Sequence, residues 1–143
     1  MFTHSHSSRH LIVLDRDQPI IQTLTEFAHE HKIQGGALTG IGALKDAELG
    51  YYELHKKDYI KKTFRDEDFE LLALNGNISL RDGAPYVHVH TALGRADFSV
   101  IGGHLFEARV AVTAEIFLTP FGTMPERSFQ PHLGLQTITH CRL

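Results

Sequence analysis

With 143 residues, 42% of them hydrophobic and 22% charged, the chain has the make-up of one soluble domain able to bury a single core. Its formal charge of −3 argues against a surface that tracks nucleic-acid phosphates, and its single cysteine, Cys141, leaves no intrachain disulfide and no multi-thiolate zinc site. No apolar run reaches bilayer length, and the N-terminus lacks the basic-then-apolar layout of a secretion signal, so the expected location is cytoplasmic.

The polar start, THSHSSRH, marks residues 1–8 as a flexible tail and 9–143 as a single domain. RHLIVLD (9–15) reads as a first strand. DQPIIQTLTEFAHEHK (17–32) then switches to helical spacing, with Ile20, Leu24, Phe27 and His31 on one stripe and Ile21 and Ala28 beside it. Asp17 or Gln18 precedes Pro19 at its start, and Gly35-Gly36 follows its end. From there the period is two. GALTGIGAL (36–44), AELGYYEL (47–54), YIKKTF (59–64), FELLALNGNISL (69–80), PYVHVHTAL (85–93) and RVAVTAEIFLT (109–119) are predicted strands, with RDGAP and GRAD as turns. Lys56, Lys57, Lys61 and Lys62 lie among Asp58, Asp66, Glu67 and Asp68, the pattern of a solvated charged hairpin. Short connections between successive strands favour antiparallel pairing, because parallel neighbours need long crossovers. The expected fold class is therefore α+β, a mainly antiparallel sheet with one main helix packed on it.

Three of the eleven histidines fall in PYVHVHTALGRADFSVIGGHLF (85–106). On a strand, His88 and His90 share one face while Val87 and Val89 take the other. His104 follows Gly102-Gly103, glycines that allow a tight turn, and returns near the pair if the chain doubles back after GRAD. Three imidazole nitrogens with an open fourth position suit a catalytic-type zinc site better than a closed structural one. Spacing leaves a second reading open, in which the histidines only hydrogen-bond within or between subunits. His29 and His31 point apart on the helix. His4, His6 and His10 sit in the start of the chain, and His55, His132 and His140 are isolated; surface or packing roles suit all of these.

Other chemistry is thinly marked. A cupin-type HxH expects a glutamate shortly after the second histidine, and Thr91–Arg95 contains no acid. Ser79 and Ser99 lack a nucleophile-elbow context. TGIG (39–42) has no βαβ unit after it, so its glycines suit a bulge or close packing. Glu115 interrupts the apolar run VAVTAEIFLT, where an acid needs a partner, a metal or an edge position facing water. Glu115 and Asn77 are the candidate substrate-orienting, catalytic residues.

In order, GGALTGIGALKDAELGYYE, FELLALNGNISLRDGAPYVHVHTAL, VIGGHLFEARVAVTAEIFL and ERSFQPHLGLQTI resemble the plants-and-prokaryotes-conserved (PPC) domain family, from about Arg9 to Ile138. The resemblance implies a sheet with one main helix, a homotrimer, and a metal, usually zinc, held by the HxH strand and GGH, here His88, His90 and His104. Plant members carry the domain beside AT-hook segments that contact DNA; no Arg-Gly-Arg-Pro hook occurs in this sequence. The fold is also similar to acetolactate decarboxylase and to a zinc-dependent ester hydrolase, an analogy that does not set chemistry. The sequence thus leads to a trimeric protein with a zinc-like divalent metal beside a small-molecule pocket. The alternatives are a DNA-binding or regulatory module, a metal-dependent hydrolase or decarboxylase, and a trimer in which the metal is only a structural staple.

Overall fold

A computed structural model of the chain describes residues 1–6 and 9–142. In chain order they form β1 (Phe2–His6), β2 (Arg9–Asp15), α1 (Ile20–Glu30), β3 (Gly36–Glu53), β4 (Asp58–Arg81), β5 (Ala84–Gly94), β6 (Val100–Pro120), β7 (Met124–Gln130) and β8 (Leu135–Arg142). The sheet runs β1-β2-β6-β3-β4-β7-β8, and β5 pairs with both β4 and β6. Strands β3, β4, β5 and β6 therefore close a circuit of antiparallel pairs. Only β4 and β7 pair in parallel among the described strands, at Leu80↔Glu126 and Arg81↔Arg127. The mainly antiparallel sheet with one helix is the architecture expected from the periodicities.

The alternation of apolar residues explains which face is buried. Ile12 and Leu14 of β2, Leu74 and Ile78 of β4, Val87 and Val89 of β5, and Ala114, Ile116 and Leu118 of β6 all belong to one core. Helix α1 adds Ile20, Leu24, Phe27 and Ala28 to it. His31, expected on the buried stripe, is instead exposed and stacks on the Phe27 ring with centroids 4.0 Å apart; Thr23 takes the inward place. The first turn of α1 has no side-chain N-cap of its own. Glu107 from β6 supplies the missing acceptor: the backbone N–H groups of Ile21 and Gln22 donate to its carboxylate at 2.8 and 3.0 Å.

Three local expectations differ from what is observed. The predicted pairs 36–44/47–54 and 59–64/69–80 are each one long strand, β3 and β4. The strands continue through the charged stretches because the register shift between Lys45 and Ala47, opposite Asp68 and Phe64, absorbs the irregularity. Asp46 and Asp66, at φ 53° and 55°, take the left-handed conformation that aspartate tolerates, and Asp66 N–H donates to the Asp46 carboxylate at 3.1 Å. Phe2–His6, expected in a flexible tail, pairs with β2 from Phe2↔Val13 to His6↔Arg9; alternating short polar residues make an acceptable edge strand. Ser7 and Ser8, also in the expected tail, lie outside the described residues. The last two strands, β7 and β8, had no clear period in the sequence.

Candidate metal centre

Registry brings the three histidines together. His88 lies opposite Asn77 of β4, and His90 lies opposite both Asn75 of β4 and His104 of β6. His104 is also opposite Gly50 of β3, so it sits where β3, β5 and β6 meet. Ring centroids are 5.3 Å apart for His88–His90, 5.1 Å for His88–His104 and 5.5 Å for His90–His104. One ring nitrogen from each lies within 4.8 Å of the others. The expected doubling back after GRAD is thus present, but the glycines do not make the turn. They lie inside β6 and let it approach its neighbours: a Cβ on Gly102 would sit 2.4 Å from the Thr91 carbonyl oxygen, and one on Gly103 2.7 Å from that of Gly50. Gly50 is needed for the same reason, since a Cβ there would meet the Phe106 ring at 2.4 Å.

The surroundings keep two of the imidazoles neutral. Burial, reinforced by the Arg127 guanidinium, lowers the His88 pKa to about 4. Burial, reinforced by His90, does the same to His104, also to about 4. Neutral imidazole is the form that ligates metal. The wall is aromatic: Tyr59 and Phe106 pack against His104 at 5.2 and 4.6 Å, and Tyr86 stacks on His88 at 6.3 Å. Lys61 stands 3.7 Å over the Phe106 ring and reaches Glu48 at 3.6 Å.

One observation tests whether these residues fit a cation. His104 is 6% exposed, and its Nδ1 is a buried polar atom with no hydrogen-bond partner among the described residues. A buried nitrogen of that kind costs free energy unless something binds it. The site offers three soft-to-borderline nitrogen donors and, among the described residues, no carboxylate grouped with them. Tetrahedral zinc would set its nitrogen ligands about 3.4 Å apart, so closing from 4.8 Å asks for small rotamer adjustments only. The donor set fits a zinc-like ion.

The two proposed orienting residues part company. Asn77 is at the centre's edge, where its Oδ1 accepts from Arg127 at 3.2 Å. Glu115 is exposed, opposite Val13 and Ile41 and far along β6 from His104, so the fold does not bring it to the histidines. It stands at the surface of a strand that is paired on both sides. Arg127 is the site residue that sequence reasoning missed. Its Nε donates to Ser79 Oγ at 2.7 Å, Nη1 to the Gln136 carbonyl at 3.2 Å, and Nη2 to Asn77 and to His88 Nδ1, the latter at 3.1 Å. It lay within the closing ERSFQPHLGLQTI stretch, but only the parallel β4–β7 pairing carries it to His88.

The family model of the Plants and Prokaryotes Conserved (PCC) domain matches residues 1–122. The chain belongs to this family. Solved structures agree. A plant- and prokaryote-conserved protein from Pyrococcus horikoshii is 33% identical, with a TM-score of 0.87 over 99% of this chain and 97% of that one. A metal-containing protein from Archaeoglobus fulgidus is 36% identical, with a TM-score of 0.87 over 98% and 99%. A Bacteroides thetaiotaomicron protein provisionally called DNA-binding is 30% identical, with a TM-score of 0.92 over 96% of each chain. Acetolactate decarboxylase from Bacillus subtilis, at 16% identity and a TM-score of 0.56 over 82% of this chain and 54% of that one, shares the fold alone. No curated protein matches the sequence.

Proposed function

We propose that this PPC-domain protein binds a zinc-like divalent cation through His88, His90 and His104 and presents its open position to a small molecule. The observation that carries the reading is the convergence of three ring nitrogens within 4.8 Å around the partnerless, buried Nδ1 of His104. The metal-containing Archaeoglobus relative supports it. Such an ion would polarise a carbonyl or lower the pKa of bound water, the chemistry of a hydrolase or decarboxylase; the residues here would hold it, wall it with Tyr59, Phe106 and Tyr86, and keep His88 and His104 deprotonated. Elemental analysis of untagged protein beside His90→Ala tests the site. Near-stoichiometric metal in the parent and less than a tenth of it in the variant is the expected result, whereas equal metal in both would remove the proposal.

Assembly as a homotrimer is part of the same reading. It is supported by an exposed apolar face: Leu72, Phe98, Val100 and Val112 line a cavity of about 680 Å³, and Leu72 continues with Ile41 and Phe117 into the next groove. Faces of this kind mark association sites. A DNA-associated role is the second reading, favoured by the provisional name of the Bacteroides relative. The charge of −3 opposes it. A gel shift at low and moderate salt separates the two, since phosphate-driven binding falls steeply with salt. No helix is long and apolar enough to cross a membrane among the described residues, and we propose a cytoplasmic location.

A further inference from the structure

We infer that Arg127 is the oxyanion-binding residue of the metal centre, and that metal loading is what frees it to bind. The inference rests on the metal reading above and names the ligand class: a small oxyanion, carboxylate or phosphate, spanning the cation's open position and the guanidinium.

The first support is charge. Arg127 is half-buried, yet every partner it has is neutral: Ser79, Asn77, the Gln136 carbonyl and His88. Among the described residues it makes no ion pair. Glu126 and Asp82 line a shallow cleft with it, but Glu126 pairs with Arg142 at 2.8 Å and Asp82 accepts from Gln136 at 3.5 Å. The other groups facing the guanidinium are Tyr86, 5.1 Å from it, and Tyr59 and Arg81, the last stacked at 4.1 Å on the same Tyr86 ring. Adding a divalent cation on three neutral rings would make this corner more positive still, and among the described residues neither nearby carboxylate, Glu126 or Asp82, pairs with Arg127. Half-buried charge of that size calls for an anion.

The second support is donor counting. A guanidinium has five N–H groups. Four are used here: one on Nε, one on Nη1, and both on Nη2. The contact with His88 requires its Nδ1 to be a lone-pair acceptor. A neutral ring that ligates through Nδ1 gives that lone pair to the metal; one that ligates through Nε2 carries its proton on Nδ1. Neither arrangement can accept from Arg127. Metal binding by neutral His88 therefore releases one N–H on Nη2, beside the spare one on Nη1. One free N–H on each terminal nitrogen gives the guanidinium the donors from which it makes its fork with carboxylate or phosphate. Nε, with Ser79, and the bonds to Asn77 and Gln136 remain to hold the fork in place.

Zinc-loaded and metal-free protein are titrated with malonate, inorganic phosphate and neutral malonamide by calorimetry, with metal content measured on each sample. The zinc-loaded protein should bind malonate or phosphate but not malonamide, and the metal-free protein at least tenfold more weakly. Arg127→Gln should keep its zinc and lose roughly ten- to hundredfold in anion affinity, the scale of a lost charged hydrogen-bond pair. Arg127→Lys, which keeps the charge without the fork, should lie between. By linkage, the bound anion should tighten zinc by the same factor. Zinc-loaded protein that binds no anion, or binds malonamide as well as malonate, overturns the inference and leaves the metal reading standing. So does anion binding indifferent to Arg127 or to zinc. Protein that takes up no zinc overturns both. Should Arg127→Gln fail to fold, the discrimination between malonate and malonamide by the parent decides the question alone.

Discussion

Acidification of the metal-free protein probes how the fold holds His104. Its pKa is lowered to about 4 by burial, from an ordinary value near 6.5. The unfolded chain therefore binds more protons than the native state between about pH 6.5 and 4, and stability must rise with pH across that window. The contribution is fully present above about pH 6.5 and is lost as pH falls through the folded value. At about pH 4.5 the unfolded imidazole is almost wholly protonated and the native one only about a quarter, which corresponds to a loss of about 2.5 kcal/mol. His88 is shifted the same way, first by burial and then by Arg127, but it is partly solvated and its protonation opposes that of His104. The joint loss should be about 2.5–4 kcal/mol. Urea unfolding with chelator present, at about pH 7 and about pH 4.5, measures it. Carboxylates elsewhere also titrate, so the comparison is with His104→Gln, whose pH-dependent loss should be smaller by about 2.5 kcal/mol. Equal losses in the two proteins, within about 0.5 kcal/mol, would show that burial of His104 does not exclude its proton.

Three further outcomes are expected. Glu107→Ala removes the acceptor of two N–H groups at the start of α1 and should cost about 1–2 kcal/mol, read as a lowered urea midpoint with unchanged slope. Gly103→Ala puts a methyl group 2.7 Å from the Gly50 carbonyl oxygen; it should cost about 1–3 kcal/mol and, by spreading β3 from β6 beside His104, reduce zinc uptake at a fixed zinc concentration. Leu72→Asp places a charge where the exposed apolar cavity and groove meet. If that face joins the protomers, sedimentation velocity should show the variant as monomer where the parent is trimer, with an unchanged far-UV circular dichroism spectrum.

Local pattern in the sequence was enough to decide which face most strand and helix residues take. Side chains alternate on a strand, so Val87 and Val89 had to enter the core and His88 and His90 had to share the other face. The 3.6 period likewise placed Ile20, Leu24 and Phe27 against the sheet. It failed for His31, because the helix makes its last turn at Glu30 and the ring stacks outward on Phe27. Local pattern also split β3 and β4 into pieces, since charged residues at a bulge look the same as a turn. What stands beside the histidines belonged to the tertiary structure. Glu115 has the sequence signature of a functional acid, yet registry sets it opposite Ile41, away from the centre. Arg127 has no such signature, yet it reaches His88 through a two-residue parallel pairing between β4 and β7. Periodicity encodes the direction of a side chain relative to its own strand; which strand lies next to it is set by long-range pairing, and no local spacing records that.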